Sequence, residues 1–239
     1  MGPMAQMLSA IEKTGKPLSG LQLLYITPLR ALSRDIEASI RRPIEDMDWP
    51  ITVESRTGDT KSSVKSRLIK KMPNILITTA DSQSVLLSSK KPLKRFGVLR
   101  CVILDEWHEL MSSKRGTQAE LCLSRLRQLT PTLQTWAISA TLGNLPEAAE
   151  AAAGADSNPV IIQSKIKRKT LIKSILPESV DSFPWAGHLG LHMFESLVSA
   201  LDIVRSTYIF SYTRCLAERW YQAISFSLSD FVLRIALHH

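Results

Sequence analysis

Residues 102–108 have the sequence VILDEWH, in which an apolar, β-branched run ends in two adjacent carboxylates. Such a run predicts a buried strand that carries Asp105 and Glu106 to its carboxyl end. Carboxylates in that position hold a magnesium ion and polarise the attacking water in nucleotide-hydrolysing α/β sheets. The motif therefore predicts Asp105 as a ligand of Mg²⁺, directly or through water. Glu106 is the predicted general base, and His108 the link to neighbouring loops.

Two other interpretations of this motif stay open. An exposed acidic turn at a strand end would have the same residues and no chemistry. A metal-hydrolase centre built from Asp105, Glu106 and His108 is less favoured, because nothing else in the sequence supplies a convincing set of ligands.

Ser139, Ala140 and Thr141 close the next predicted strand. The interval between the two motifs leaves room for one crossover helix, so both are expected at the same edge of one sheet. Hydroxyl groups there can hydrogen-bond the acidic motif and relay its state. By itself, this tripeptide more often caps a strand. Its position after the acidic motif along the chain favours a role in coupling the acidic motif to neighbouring loops.

The rest of the first half alternates between short apolar runs and amphipathic segments. Predicted strands are residues 21–27, 51–57, 75–79, 98–106 and 135–141, and predicted helices are residues 29–42, 60–71, 82–89, 116–129 and 146–153. This alternation predicts right-handed βαβ crossovers and a mostly parallel α/β sheet with helices on both faces.

Three predicted strand ends carry small polar residues or an arginine. The candidates are Thr27, Pro28, Arg30, Thr57, Gly58, Thr78 and Thr79. Free N–H groups at a helix start, together with an arginine, suit a phosphate group, although ordinary helix caps would look the same. Three such ends together predict a track for a sugar-phosphate backbone, contacted for position rather than for sequence.

Composition limits the class of protein. The 239 residues include 30 Lys and Arg against 22 Asp and Glu, a net charge of +8 that suits a polyanionic partner without requiring one. Three cysteines without CxxC spacing disfavour a disulfide framework or a zinc site and favour a reducing cytosol. No stretch reaches the ~20 apolar residues of a membrane span, so no membrane partner is expected.

The second half predicts a change of organisation. Strands are predicted at residues 160–164 and 170–176, a connector at 183–187 and a helix at 189–204. A further αβ unit is predicted from a strand at 207–212, a helix at 216–227 and a strand at 231–237.

The ordered strings TPLRAL, TGDT, TTADS, DEWH and SAT resemble those of superfamily-two DExH-box helicases. The longer strings DEWHELMSSKRGTQAE, SATLGN, FPWAGHLGL and RIALHH are similar to the large-helicase-related (Lhr) group, especially its ligase-associated DExH-box type in bacteria. The likeness covers residues 21–239.

This resemblance implies an ATP-dependent motor of two RecA-like domains that moves 3′ to 5′ along single-stranded DNA and unwinds duplexes in DNA repair. Its cofactors would be ATP and Mg²⁺. Its partners would be single-stranded or partly duplex DNA, with RNA as a second candidate, and a DNA ligase or nuclease repair module. The expected location is the bacterial cytoplasm, at the nucleoid.

The resemblance also implies residue roles and a domain layout. Asp105 and Glu106 would act on Mg-ATP, residues 139–141 would couple hydrolysis to movement, and Thr213 and Arg214 would lie near DNA. Residues 1–20 would be a lead-in, 21–158 a truncated first RecA-like domain, 159–204 a connector, and 205–239 the start of a second RecA-like domain.

The sequence departs from the family pattern in one main respect. No window matches the phosphate-binding loop GxxxxGK[ST]; residues 14–17, TGKP, have the wrong spacing. The arginine finger and the winged-helix region are also not found, and Ala80 and Asp81 stand where the group more often has Pro and Glu. We therefore expect an internal fragment that has little ATPase activity by itself and aggregates readily. The alternatives are an ATP-independent nucleic-acid-binding remnant and a non-functional truncated product.

Overall fold

The computed structural model describes residues 2–88, 92–155, 157–164, 166, 172, 194–201, 207–211, 213–227, 235 and 237. The chain divides into two compact units, Met1–Ser164 and Lys165–His239. Across the described residues, no helix combines the length and the apolar composition that a membrane span requires.

A five-stranded parallel sheet forms the centre of the first unit. Its strands are β1 (Leu23–Thr27), β2 (Val53–Arg56), β3 (Ile75–Thr79), β4 (Cys101–Leu104) and β5 (Gln134–Ala137), in the spatial order β2-β3-β1-β4-β5. All five predicted strands are confirmed, although β4 and β5 end earlier than predicted. Because all the strands are parallel, their carboxyl ends meet at one edge of the sheet.

Helices connect the strands of this unit. They are α1 (Gly2–Thr14), α2 (Arg30–Asp46), α3 (Ser62–Lys70), α4 (Ala80–Leu87), α5 (Pro92–Phe96), α6 (Trp107–Met111), α7 (Lys114–Leu129) and α8 (Leu145–Ala153). Five of these helices, α2, α3, α4, α7 and α8, are predicted from the sequence, with shifted ends. No helix is predicted at α1, α5 or α6.

Both faces of the sheet are covered by apolar side chains. On one face, Met4 and Met7 of α1 and Ile44 of α2 pack with inward residues of the strands such as Ile75. On the other face, side chains from α4 through α8 enclose Leu76 and the alternate strand residues. Two buried faces account for the near-continuous apolar sequence of β1, β3 and β4.

The β5 strand is more exposed than its neighbours. Within the described sheet it pairs only with β4, and Trp136 and Ile138 beside its free edge are 43% and 46% exposed. Exposed apolar residues on an edge strand favour association with other chains.

The second unit contains two described helices, α9 (Phe194–Ala200) and α10 (Arg214–Ser227). The rings of Phe194 and Trp220 stack with centroids 6.1 Å apart. Helix α10 confirms the predicted helix at 216–227. Of the helix predicted at 189–204, residues 194–200 are helical, residue 201 is not, and the rest lies outside the described residues.

Two strands predicted in the second half do not form. Residues 160–164 and 207–211 have no regular structure, and Phe210 is 93% exposed. A strand requires pairing with a neighbouring strand as well as suitable residues, and in the part of the chain that the structure describes neither segment belongs to the sheet. The strands predicted at 170–176 and 231–237, and the connector at 183–187, fall almost wholly outside the described residues.

Candidate functional site

The acidic motif forms a sharp turn at the tip of β4. The backbone N–H of Asp105 donates to the carbonyl of Ile26 at 2.9 Å, which extends the β1–β4 ladder by one residue. Asp105 Oδ1 then accepts a hydrogen bond from the N–H of Glu106 at 3.0 Å. Glu106 adopts the left-handed conformation, with φ 47° and ψ 50°. Non-glycine residues seldom adopt this conformation, so the turn stores backbone strain at the position of the predicted general base.

Trp107 anchors the strained turn to its surroundings. Its side chain is fully buried. Its backbone N–H donates to the carbonyl of Ile138, and its indole Nε1–H donates to the carbonyl of Ala148, both at 2.9 Å. Trp107, which follows the strained Glu106, is therefore fixed both to the end of β5 and to α8.

The two predicted motifs meet through His108. A hydrogen bond of 2.9 Å joins His108 Nδ1 to Ser139 Oγ. The carboxylates of Glu106 and Glu109 lie 3.5 Å from Nδ1 and 3.7 Å from Nε2 of the same ring. A change at Glu106 can therefore reach the loop after β5 through one imidazole. Ala140 and Thr141 follow in this loop and are exposed.

Tyr25 is a site residue that the sequence analysis missed. It pairs in register with Ile103, so the period-two alternation of β4 places Asp105 on the same face of the sheet. Burial, the charge of Asp105 and a hydrogen bond to its carboxylate raise the pKa of the Tyr25 hydroxyl well above its usual value, and the charge of Glu106 adds to this. Tyr25 therefore stays protonated beside the Asp105 carboxylate.

The donors at this tip fit a magnesium ion that takes most of its ligands from a nucleotide and water. Mg²⁺ is usually held by one or two carboxylates plus phosphate oxygens, and Asp105 and Glu106 provide such a pair. The described residues include no group of three or more His, Cys, Asp or Glu side chains that could hold a metal ion alone. This argues against the metal-hydrolase interpretation of Asp105, Glu106 and His108.

Residues 14–17 do not form a phosphate-binding loop. Gly15 follows the last residue of α1, has a φ of 63°, and donates its N–H to the carbonyl of Ile11 at 2.8 Å. This is the geometry of a helix carboxyl-terminal cap. A phosphate-binding loop instead precedes a helix and presents free N–H groups, so the mismatch seen in the sequence is also a mismatch of geometry.

Several of the predicted nucleic-acid contacts are buried. Thr27 is fully buried, and its Oγ1 donates to the carbonyl of Leu29 and hydrogen-bonds Ser33 Oγ, both at 3.0 Å. Thr78 is fully buried and donates to the carbonyl of Arg56 at 2.7 Å. Pro28 and Thr79 are buried as well. In this structure these side chains lie inside the turns, and their contact with nucleic acid stays a prediction.

The other predicted contacts are accessible. Arg30 and Gly58 are exposed and Thr57 is half-buried. A cleft of about 310 Å³ lies between the start of α2 and the loop after β2, lined by Arg30, Ala31, Arg34, Ser55, Thr57, Asp59 and Thr60. Within it, Arg30 Nη1 lies 2.7 Å from Asp59 Oδ1. The cleft thus combines two guanidinium groups and three hydroxyl groups, a chemistry suited to phosphate.

Arg115, at the start of α7, joins two of the strand tips. Its Nη1 donates to the carbonyl of Pro28 at 3.2 Å, and its Nε lies 3.4 Å from the Asp81 carboxylate. The helix that follows the acidic motif is therefore fastened to the turns after β1 and β3. No sequence pattern signals this contact, because the three residues are far apart in the chain.

Thr213 and Arg214 belong to the second unit. Thr213 Oγ1 accepts a hydrogen bond from the N–H of Leu216 at 3.2 Å, so Thr213 caps the start of α10. Arg214 is the first residue of this helix and is exposed. Their contact with DNA stays a prediction.

Comparison with known proteins identifies related sequences. The model of the DEAD/DEAH box helicase family matches residues 3–148. The ATP-dependent helicase Lhr-Core protein 2 of Thermococcus barophilus is 33% identical to the chain, over 97% of this chain and 29% of that protein. The chain thus spans less than a third of the length of this relative.

Solved structures are similar over the same region. The structure of Mycobacterium smegmatis helicase Lhr bound to ssDNA and AMP-PNP superposes with a TM-score of 0.66 at 27% identity, over 96% of this chain and 31% of that chain. The DEAD-box helicase Mss116 bound to ssRNA and UDP-BeF gives a TM-score of 0.54 at 22% identity, over 62% of this chain and 31% of that chain, which is a likeness of fold alone. Together with the five-stranded parallel sheet, these neighbours make the fold of the first unit RecA-like.

Proposed function

The chain belongs to the DEAD/DEAH box helicase family, and from that premise we propose that it forms part of an ATP-dependent helicase motor of the Lhr type. The observation that carries the proposal is the 2.9 Å contact between His108 and Ser139. It joins the predicted nucleotide-binding acids to the predicted coupling loop at one edge of a parallel sheet. That edge is where ligands bind in open α/β folds.

We assign the chemistry at this edge to the acidic pair. Bound ATP would supply the reacting phosphoryl group, and its Mg²⁺ would neutralise the charge of that group. Asp105 would hold the metal, with its carboxylate oriented by Tyr25 and by the backbone of Glu106. Glu106 would orient the attacking water, and His108 and Ser139 would carry its change of state to the loop at residues 139–141.

The ligand that we propose for the other strand tips is single-stranded nucleic acid. Arg30, Gly58 and Thr57 offer accessible groups at the cleft, and Arg214 is a candidate in the second unit. We favour DNA, 3′ to 5′ movement and a role in DNA repair in the bacterial cytoplasm, at the nucleoid and beside a DNA ligase or nuclease module. The Lhr relatives support DNA, since the mycobacterial Lhr structure contains ssDNA; RNA is the alternative ligand.

A second candidate function is nucleic-acid binding without ATP turnover by residues 1–239 on their own. The geometry at Gly15 favours it, because this Gly-Lys pair caps a helix end instead of opening a phosphate loop. Without a lysine on the β- and γ-phosphates, phosphoryl transfer loses charge stabilisation on which this chemistry depends. We therefore propose that the chain alone hydrolyses ATP slowly or not at all.

Binding titrations separate these candidates. Purified chain is titrated with a fluorescent ATP analogue and Mg²⁺, and separately with labelled single-stranded DNA at several salt concentrations. In the motor proposal, Asp105→Ala removes nucleotide binding, whereas Glu12→Gln, an exposed carboxylate change on α1, leaves it intact. Salt-dependent DNA binding without nucleotide binding supports the second candidate.

The DNA titration includes its own matched pair of variants. Arg30→Ala should weaken binding, and Arg42→Ala, which removes an exposed arginine from the far end of the same helix, should have a smaller effect. Absence of both nucleotide and DNA binding by a chain with a native circular dichroism spectrum would refute both candidates.

A further inference from the structure

The cleft between α2 and the loop after β2 already contains an anion, the carboxylate of Asp59. Its Oδ1 lies 2.7 Å from Arg30 Nη1, within the range of a charge-assisted hydrogen bond. Arg30 is also the accessible arginine that we propose as a contact for nucleic-acid phosphate. The Arg30 guanidinium thus has two potential anionic partners in this cleft, the Asp59 carboxylate and a nucleic-acid phosphate.

The loop at residues 57–60 is built to present this carboxylate. The N–H of Thr57 donates to Thr60 Oγ1 at 2.9 Å, and the N–H of Thr60 donates to the carbonyl of Thr57 at 3.3 Å. Lys65 Nζ donates to the carbonyl of Gly58 at 2.7 Å, which fixes the loop to α3. These three bonds hold Asp59 at the tip of a closed turn.

Gly58 allows the Arg30 guanidinium to lie against the same loop. A Cβ atom at Gly58 would lie only 3.0 Å from Arg30 Nη2 and 3.2 Å from its Cζ. A larger residue would force the guanidinium to shift by a few tenths of an ångström. The absence of a side chain at Gly58 and the position of Asp59 therefore act together to seat Arg30.

The ion pair is nevertheless easy to exchange. Its side chains are 56% and 60% exposed, and exposed pairs change an equilibrium constant by less than about fivefold. A phosphodiester offers two oxygens to the fork of a guanidinium and adds contacts along the backbone. Arg34, Thr57 and Thr60 line the same cleft and can take part when a phosphate enters.

We propose that Asp59 is a built-in competitor for nucleic-acid phosphate at Arg30. Single-stranded nucleic acid binds this cleft by replacing the Asp59 carboxylate with a backbone phosphodiester, so Asp59 lowers affinity and sets part of its salt dependence. This inference rests on the proposed function of the cleft. It adds a residue whose effect on binding is opposite in sign to that of the surrounding basic groups.

The test is a double-mutant cycle on the whole chain. Affinity for labelled oligodeoxythymidine is measured by fluorescence anisotropy from low to moderate salt for the wild type, Asp59→Asn, Arg30→Ala and the double variant. We expect Asp59→Asn to bind about two- to fivefold more tightly at low salt, with the gain shrinking as salt rises. In the Arg30→Ala background, Asp59→Asn should have no such gain.

A matched variant controls for net charge. Asp46→Asn removes one negative charge from an exposed residue that is paired with Arg42 on the same α2 helix. If Asp59→Asn gains no more than Asp46→Asn, or gains equally without Arg30, the competitor role is wrong while the binding cleft stands. If Arg30→Ala does not weaken binding, the cleft itself is wrong, and the inference fails with it.

Discussion

Trp107 gives the sharpest test of how the acidic motif is held. The substitution Trp107→Phe keeps an aromatic ring in the core and removes the indole N–H that donates to the Ala148 carbonyl at 2.9 Å. It also replaces a bicyclic ring by a smaller one at a fully buried position. The variant therefore changes one hydrogen bond and one packing volume at the residue next to the strained Glu106.

The magnitude follows from these two losses. The lost hydrogen bond costs about 0.5–1.5 kcal/mol, because the Ala148 carbonyl still accepts a backbone N–H within α8. A residual cavity of roughly 40 Å³ adds about 1 kcal/mol at about 24 cal/mol per Å³. We therefore expect Trp107→Phe to lower the free energy of unfolding by about 1.5–2.5 kcal/mol, a large part of the stability of an ordinary domain.

Urea unfolding followed by far-ultraviolet circular dichroism measures this change without depending on tryptophan emission. Trp136→Phe is the matched control, because Trp136 is 43% exposed and close to the same sheet edge. It should change the free energy of unfolding by much less than Trp107→Phe. Equal effects of the two substitutions would refute the anchoring role of Trp107.

Three further predictions follow from named contacts. The backbone of Glu106 is in the left-handed conformation, which glycine adopts more easily than alanine. Glu106→Gly should therefore unfold at the same or a higher urea concentration than Glu106→Ala, the reverse of the usual penalty for glycine. A lower unfolding midpoint for Glu106→Gly would contradict backbone strain at this position. Burial raises the pKa of the Cys101 thiol to about 12 and that of the Cys122 thiol to about 11, so the folded state keeps these protons while the unfolded state releases them from pH 9.0 upward. These thiols should therefore leave the free energy of unfolding unchanged below that pH and lower it above that pH, by about 1.4 kcal/mol per pH unit for each thiol. Cys101→Val should make this decrease with pH less steep. An equally steep decrease in the variant would contradict the burial effect. Arg115→Met should speed amide hydrogen exchange in the turns after β1 and β3, since it removes the donor to the Pro28 carbonyl and the partner of Asp81; unchanged exchange in both turns would exclude a fastening role.

The sheet could be predicted from sequence because its strands are buried on both faces. Ile75–Thr79 was placed with the correct ends, since its five residues are all buried and bounded by polar segments. Helices α5 and α6 were missed because five residues are too few to show a helical period. The strand predicted at 207–212 failed for a different reason: β propensity is local, whereas strand pairing depends on distant residues.

The candidate site was predictable at the level of strand ends and not at the level of contacts. Parallel topology alone placed residues 102–108 beside residues 139–141. The inward orientation of Thr27 and Thr78 depends on hydrogen bonds inside the turns, which the sequence does not encode by spacing. The pairing of Arg30 with Asp59 likewise depends on the shape of the loop after β2.

The position of β1 has a consequence for biosynthesis. Among the described strands it comes first along the chain and lies in the middle of the sheet, and its partners β3 and β4 follow about 50 and about 80 residues later. At about 5–20 residues per second, roughly 4 to 16 seconds separate the synthesis of Leu23 from that of Cys101. During this interval the apolar side chains of β1 lack the two strands that flank β1 in the folded sheet, so a nascent chain is an expected client for chaperones. Slower translation should lengthen that exposure and lower the yield of folded protein.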